Sequence, residues 1–373
     1  MQGYSGHKIS IKEMRGCRVL QCLIRKGPDF APEPDDEDFE RTGEWFLSGL
    51  IDGMPEAEMR FDNDVKPARH GVSSTNPQNC VDDINDPETL DDIGIPFHPY
   101  CLEVYKRVAK LKTGSIDIAG LTGWYEQEAD YHTFHSFPRN GPTTSLQQQW
   151  WSHEAGTEWV VANPLYLPPR FSEILQSAIA TDPNFDPNSG VFNIATSAPT
   201  SSSQEDPFTL LPAELTLQIL THLPSNSIAS LRLASRAFRQ LPQTLFHHLL
   251  KAEMPWLWEA SLPSSPISDM AFPYAFWTSR TYFDFKNNDF ASDHHPVPIP
   301  DMLPPNKTNW YMLYLEIKRN WNELLGLRNR ERIWMDCEEI VRRIAKYREA
   351  GQIPVRDVMQ VIREREEERR NGE

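Results

Sequence analysis

The sequence predicts a mainly α-helical chain with a mixed α+β N-terminal region, a three-helix segment in mid-chain and long helices at the C-terminus. Three observations carry this. Apolar residues recur every three or four positions between Leu211 and Leu250, and again from Asn309 onward, which is the spacing of one helix face. Hydrophobic residues make up 39% of the chain and aromatics 11%, with 11 Trp, enough to build real cores. Near the start, residues 9–26 gather β-branched side chains around Gly16, leaving a strand or a short helix open there.

Composition narrows the function classes. A chain of 373 residues allows two or three domains. Its net charge of −16 argues against tracking a phosphate backbone or an anionic membrane, both of which need Lys and Arg. No apolar run is long enough to span a bilayer, and the first residues lack the basic-then-apolar order of a signal peptide. Five cysteines (Cys17, Cys22, Cys80, Cys101, Cys337) are odd in number and scattered. That pattern suits a reducing compartment, cytoplasmic or nuclear, better than a disulfide framework. Proteins are the expected partners, with neither nucleic acid nor membrane among them.

Four parts are expected along the chain. Residues 1–180 form an acidic, aromatic-rich domain. Within it, Glu44-Trp45-Phe46-Leu47 and Met59-Arg60-Phe61 supply apolar anchors. A helix is predicted from Pro99 to Lys112, with Leu102, Tyr105, Val108 and Leu111 inward and Lys106, Arg107 and Lys110 outward. An aromatic cluster follows: Trp124, Tyr125, Tyr131, Phe134, Phe137, Trp150, Trp151 and Trp159. Residues 181–205 read as a flexible linker, because Asp-Pro pairs and a Ser/Thr run offer little apolar area against chain entropy. Residues 206–250 hold the three short helices, and 251–373 a helical C-terminal region whose charged tail, Arg363 to Arg370, is a solvated helix end.

The mid-chain segment is the most informative. Pro212 suits a first helical position, where its missing N–H costs nothing, and Glu214 favours the positive end of the helix dipole. Leu215, Ile219 and Leu223 recur every four residues with Leu220 beside them, and Pro224 stops the helix. Ser225-Asn226-Ser227 offers N-caps for a second helix carrying Ile228, Leu231, Ser235, Phe238 and Leu241. A third follows Pro242 with Leu245, Phe246, Leu249 and Leu250. Three short helices, each apolar on more than one side, cannot bury that surface among themselves. The surplus asks for a partner.

These residues resemble the F-box family. The elements are Leu211-Pro212-Ala213-Glu214-Leu215, Ile219-Leu220, Leu223-Pro224 and Leu231-Arg232-Leu233-Ala234-Ser235-Arg236. The resemblance implies a non-catalytic substrate adaptor. Its three-helix unit would dock on the Skp-type adaptor of a cullin–RING ubiquitin ligase, while flanking sequence recruits a target for ubiquitin-dependent degradation. It further implies that Leu211, Pro212, Leu215, Ile219, Leu220 and Leu231 face the adaptor, with Leu223, Pro224, Ser235 and Arg236 completing the site. A fainter similarity to filamentous-fungal F-box proteins with a mid-chain box runs through residues 95–101, 120–125 and 310–334. Two other functions stay open: a protein-binding scaffold outside any ligase, or a zinc-binding N-terminal interaction module.

The smaller signals have plain alternatives. His98-x-x-Cys101 and Cys17-x4-Cys22 together offer four zinc ligands, but the halves lie far apart and the cysteine spacing is wide, so no metal or other cofactor is expected. Packing of Cys101 in the helix, with His98 at its start, accounts for them as well. Cys101 with His132 or His135 lacks any feature that would activate a thiol. The basic run Arg328 to Arg332 reads as a solvated turn or helix start. Nothing in the sequence marks an enzyme.

Overall fold

The computed structural model describes residues 9, 13, 19–28, 30–34, 36–49, 51–52, 69–70, 94–128, 137, 156–166, 168–179, 185–186, 189–192, 206–260 and 303–353. Cys17, Cys80, His132, His135, the Met59–Phe61 anchor, half of the aromatic cluster (Tyr131, Phe134, Trp150 and Trp151) and the Arg363–Arg370 tail lie outside these residues. In chain order the N-terminal elements are β1 (Val19–Arg25), α1 (Asp38–Thr42), β2 (Trp45–Leu47), β3 (Ile51–Asp52), β4 (Ile95–Phe97), α2 (Pro99–Thr113) and α3 (Ile118–Glu128). Then come α4 (Pro169–Ala178), α5 (Ala213–Thr221), α6 (Ser225–Ala234), α7 (Gln243–Glu253), α8 (Trp310–Arg319) and α9 (Leu325–Glu349).

These elements fall into two units, each discontinuous in sequence. One comprises Met1–Tyr166, Met270–Asp293 and Leu325–Glu373; the other comprises Leu167–Asp269 and His294–Leu324. The grouping cuts across a linear partition at 180, 205 and 250, because α9 packs on α2 and α3 while α8 packs on α7 and α4.

In the first unit β1 is the hub of a small antiparallel sheet. Leu23 lies opposite Leu47 of β2 and Ile95 of β4, and Leu20 opposite Ile51 of β3. The open choice for residues 9–26 thus resolves to a strand over Val19–Arg25. Helix α2 starts on Pro99 and ends at Gly114, whose φ of 82° needs a residue without Cβ. Its bounds match the sequence expectation closely, but its faces do not. Lys106 and Arg107, expected outward, are buried. The helix is covered by α9 as well as touching β1, so residues off the apolar stripe are enclosed. Carboxylates make this tolerable. Lys106 Nζ reaches Glu37 Oε2 at 2.7 Å and pairs with Glu103, and Arg107 Nη1 bonds Glu103 Oε2 at 3.0 Å.

That burial gives the unit a pH dependence. Desolvation pushes the Glu37 carboxyl up to about 7, against the opposing pull of Lys106. Burial also works against the Lys106 charge, yet Glu103 and Glu37 outweigh it and its pKa is raised. A carboxyl that titrates higher when folded takes up a proton on folding between its ordinary value, 4.5, and about 7. Its contribution is therefore full below pH 4.5 and fades as pH rises through 7. Urea midpoints measured from pH 5 to 8 should fall across that window. Glu37→Gln, which keeps an oxygen for Lys106, should flatten the fall; an unchanged slope in that variant would remove Glu37 as its cause.

Helix α9 is anchored along its length. Arg330, expected in a solvated run, is buried with its Nε donating to the Pro164 carbonyl at 2.6 Å, because α9 packs on the 3-10 turn Glu158–Val161. Arg328 and Arg332 keep partial exposure, Arg328 lying 4.8 Å over the Trp159 ring. Further on, Arg343 pairs with Glu128 at 2.7 Å and Arg348 with Asp117 at 2.6 Å. The helix stops in a Schellman turn: Gly351 has φ 71°, and Gln352 N donates to Tyr347 O at 2.9 Å. Ile353 then packs where a Cβ on Gly123 would sit, at 3.1 Å.

The second unit is helical. Helix α8 lies against α7 and α4, and α5 against α7. Phe171, Ile174 and Leu175 of α4, Leu245, Phe246, Leu249 and Leu250 of α7, and Trp310, Leu313 and Ile317 of α8 form its core. Asn309 caps α8 through its Oδ1, which accepts from Met312 N at 3.0 Å, and Asn320 ends it, so the helical stretch from Asn309 is two helices.

Candidate functional site

Helices α5 and α6 carry the residues singled out by sequence. Pro212 is exposed at the N-cap of α5, and Leu211 is half-buried just before it. Leu215 and Ile219, four residues apart on one face, are 47% and 36% exposed. Leu220 stands about 100° further round the helix. It is 1% exposed and belongs to the unit's own core, so its expected place at a docking face is not where the fold puts it. Leu223 and Leu231 are half-buried, while Pro224 and Arg236 are exposed.

Ser235 is buried, and its role lies inside the chain. Its Oγ donates to Asp206 Oδ2 at 2.6 Å. The same carboxylate accepts from Ala237 N at 3.2 Å and, through Oδ1, from Phe208 N at 3.1 Å. The Ser235 hydrogen bond, with these backbone donors, holds the Asp206 carboxyl below its usual range. Asp206 thus ties the entry to α5 to the exit from α6. At the other end of α6, Glu253 Oε1 accepts from Ser225 N at 2.8 Å, and Glu253 Oε2 accepts from Tyr314 Oη at 2.8 Å.

Three exposed apolar residues extend the surface beyond the expected set. Phe208, Leu210 and Leu233 stay in water, Leu210 and Leu233 at 84% and 92% exposure. Leu210 and Phe208 lie in a 3-10 turn, Pro207–Leu210, that no helical period could reveal. For Leu233 the signal was present: it lies off the Ile228–Leu231–Ser235 face. By contrast α7, though apolar, has nothing left to offer, since Leu245, Phe246, Leu249 and Leu250 are all buried. The exposed apolar surface of this segment therefore lies on α5, α6 and the turn before them.

Metal and thiol chemistry find little support. Among the described residues, the atoms that come together as possible ligands are those of Glu33, Asp36 and His70, within 4.8 Å of one another. There Asp36 already pairs with buried Arg69 at 2.8 Å, and a second cation beside that guanidinium is disfavoured. Among the described residues, the zinc candidates Cys22, His98 and Cys101 do not join such a group. Cys22 is buried in β1, and Cys101 Sγ lies 4.0 Å from His98 Nδ1 at the start of α2; Cys17 lies outside the described residues. Desolvation pushes the Cys101 thiol up to about 11, away from the reactive thiolate.

The F-box domain matches residues 208–246, which span α5, α6 and the start of α7. The chain carries an F-box. Similarity to a curated protein is local. The mitochondrial ATP-dependent RNA helicase mss116 of Aspergillus oryzae is 55% identical over 51 residues, 14% of this chain and 8% of that protein. The chain thus covers a small fraction of that relative's length. No solved structure matches. No helix among the described residues is long and apolar enough to cross a membrane.

Proposed function

We propose that the exposed face of α5 and α6 seats a Skp-type adaptor of a cullin–RING ligase, and that the unit built on β1, α2 and α9 recruits a target protein. On this reading the chain binds and does not catalyse. The observation that carries it is the coexistence of a full core with unspent apolar surface in the F-box. Leu220, Ile228, Phe238 and Leu249 are buried, yet Leu210, Leu215, Ile219 and Leu233 remain in water. Scattered exposed leucines need no explanation, but several on two adjacent short helices with their turn fit the apolar centre of an interface. The acidic chain, at −16, also fits a protein partner better than a nucleic acid or a membrane. Cytoplasm or nucleus, where such ligases act, is the compartment that follows.

Leu215→Asp tests the face directly. The residue is half-exposed, so the free chain should keep its stability, whereas the complex must bury a carboxylate among apolar groups. Adaptor affinity should drop by about 2–3 kcal/mol, roughly a hundredfold. Titration calorimetry with purified Skp-type adaptor reads it. Equal affinity of variant and parent would exclude this face. Co-purification of a cullin with the complex separates a ligase subunit from a scaffold outside the ligase.

A further inference from the structure

Helix α6 is poorly anchored for an element that must present a docking face. Of its ten residues, Ser225–Ala234, only Ile228 is buried. Apolar packing alone cannot fix the rotation of such a helix, and that rotation aims Leu231 and Leu233. Polar ties from Glu253 and Asp206 hold its two ends. Its last turn is held further by a short segment whose composition resembles a linker.

Residues 189–192 (Ser-Gly-Val-Phe) lie as a short strap on the turn between α6 and α7. Gly190 forms an antiparallel bridge with Pro242, and Val191 N donates to Leu241 O at 3.0 Å. Phe192 exchanges a pair of bonds with one side chain: its N donates to Gln240 Oε1 at 2.9 Å, and its O accepts from Gln240 Nε2 at 2.8 Å. The amide plane of Gln240 crowds Gly190 so closely that a Cβ there would lie 2.0 Å from it. From this fixed position the Phe192 ring covers the Arg232 guanidinium of α6 at 3.6 Å and meets the Tyr311 ring of α8 edge-to-face at 5.1 Å. Arg232 Nε also donates to Arg239 O at 3.3 Å, closing the same turn. One aromatic ring therefore bridges α6 to α8, and the strap leaves Leu233 open, at 92% exposure.

We propose that this strap is a brace that sets the orientation of α6 and so controls how tightly the F-box holds its adaptor, with Phe192 as a positioning residue acting through Arg232. This rests on the adaptor-docking reading above. A ring face over a guanidinium attracts through its quadrupole, which an aliphatic side chain of similar size cannot supply. Phe192→Leu should therefore keep the apolar cover but lose the stack.

The experiment uses the full chain with purified Skp-type adaptor. Phe192→Leu should weaken binding about fivefold, chiefly through faster dissociation, while the thermal midpoint stays near the parent's. Phe192→Trp should restore parental affinity. Hydrogen exchange, followed without adaptor, should quicken over Leu231–Ser235 in Phe192→Leu and not in Phe192→Trp. If Phe192→Leu binds and exchanges like the parent, the brace is overturned. If the parent itself fails to bind the adaptor, the docking reading falls and the exchange data alone judge the brace: faster exchange in α6 supports it, unchanged exchange removes it.

Discussion

Replacing Glu40 with alanine should cost the N-terminal unit about 3–5 kcal/mol, the range for a buried ion pair that loses one member. Glu40 is fully buried, and each of its oxygens serves two donors. Oε1 accepts from Leu47 N at 2.8 Å and Arg69 Nη1 at 2.5 Å; Oε2 accepts from Glu37 N at 2.7 Å and Arg69 Nη2 at 3.2 Å. One carboxylate thus closes the first turn of α1, fixes the end of β2 and balances a guanidinium that is 1% exposed. Alanine would leave Arg69 with Asp36 as its remaining anion in these contacts, and would strip two backbone amides of their acceptor. Desolvation without compensation is what makes the loss large. The paired change Glu40→Leu with Arg69→Met removes both charges and should be far milder than the sum of the singles. Urea unfolding of the three variants measures the coupling. A single-variant loss below about 1 kcal/mol, the range of an exposed pair, would show that water reaches this site.

What the sequence disclosed, and what it hid, follows from the range of the interactions involved. The F-box helices were legible because their signals are local: Pro212, Pro224 and Pro242 each stand at the N-cap of a helix, and the four-residue repeat runs between them. Helix α2 was legible for the same reason, to within a residue at its end. Which face of α2 is solvated was not. Lys106 and Arg107 look outward to any periodicity argument, and only Glu37, distant in sequence, together with Glu103 turns them into interior residues. Arg330 is another such case, enclosed through a carbonyl 166 positions away. Composition likewise misjudged residues 189–192: a Ser-Gly-Val-Phe tetrad between Asp-Pro pairs reads as linker, yet its backbone finds partners on Gln240 and Leu241. In the F-box itself, the family resemblance grouped Leu220 with Leu215 and Ile219, although one residue's rotation separates core from surface. Buried polar contacts between distant segments leave no periodic trace.

The helix that follows the F-box at long range should matter as much to adaptor binding as the F-box's own leucines. Trp310 is 4% exposed and stacks on His247 of α7 at 4.2 Å, while Leu313 and Ile317 beside it are fully buried. Gln243, at the start of α7, binds both ends of the α8 entry: its Nε2 donates to Asn309 Oδ1 at 3.0 Å, and its Oε1 accepts from Tyr311 N at 3.0 Å. Without α8, the apolar face of α7 would lie open, and α7 is the element against which α5 packs. Trp310→Ala should therefore cost about 3–5 kcal/mol, the usual loss for a buried tryptophan, and raise exchange at the α7 amides Leu245–Leu250. Trp310→Phe keeps a ring for His247 and should lose much less. On the proposed docking through α5 and α6, with α5 packed on α7, adaptor affinity should fall with the alanine change although residue 310 is no part of the proposed face. If the alanine variant melts earlier but binds the adaptor with parental affinity under conditions where it is folded, then α8 supports the unit's stability without shaping its docking face.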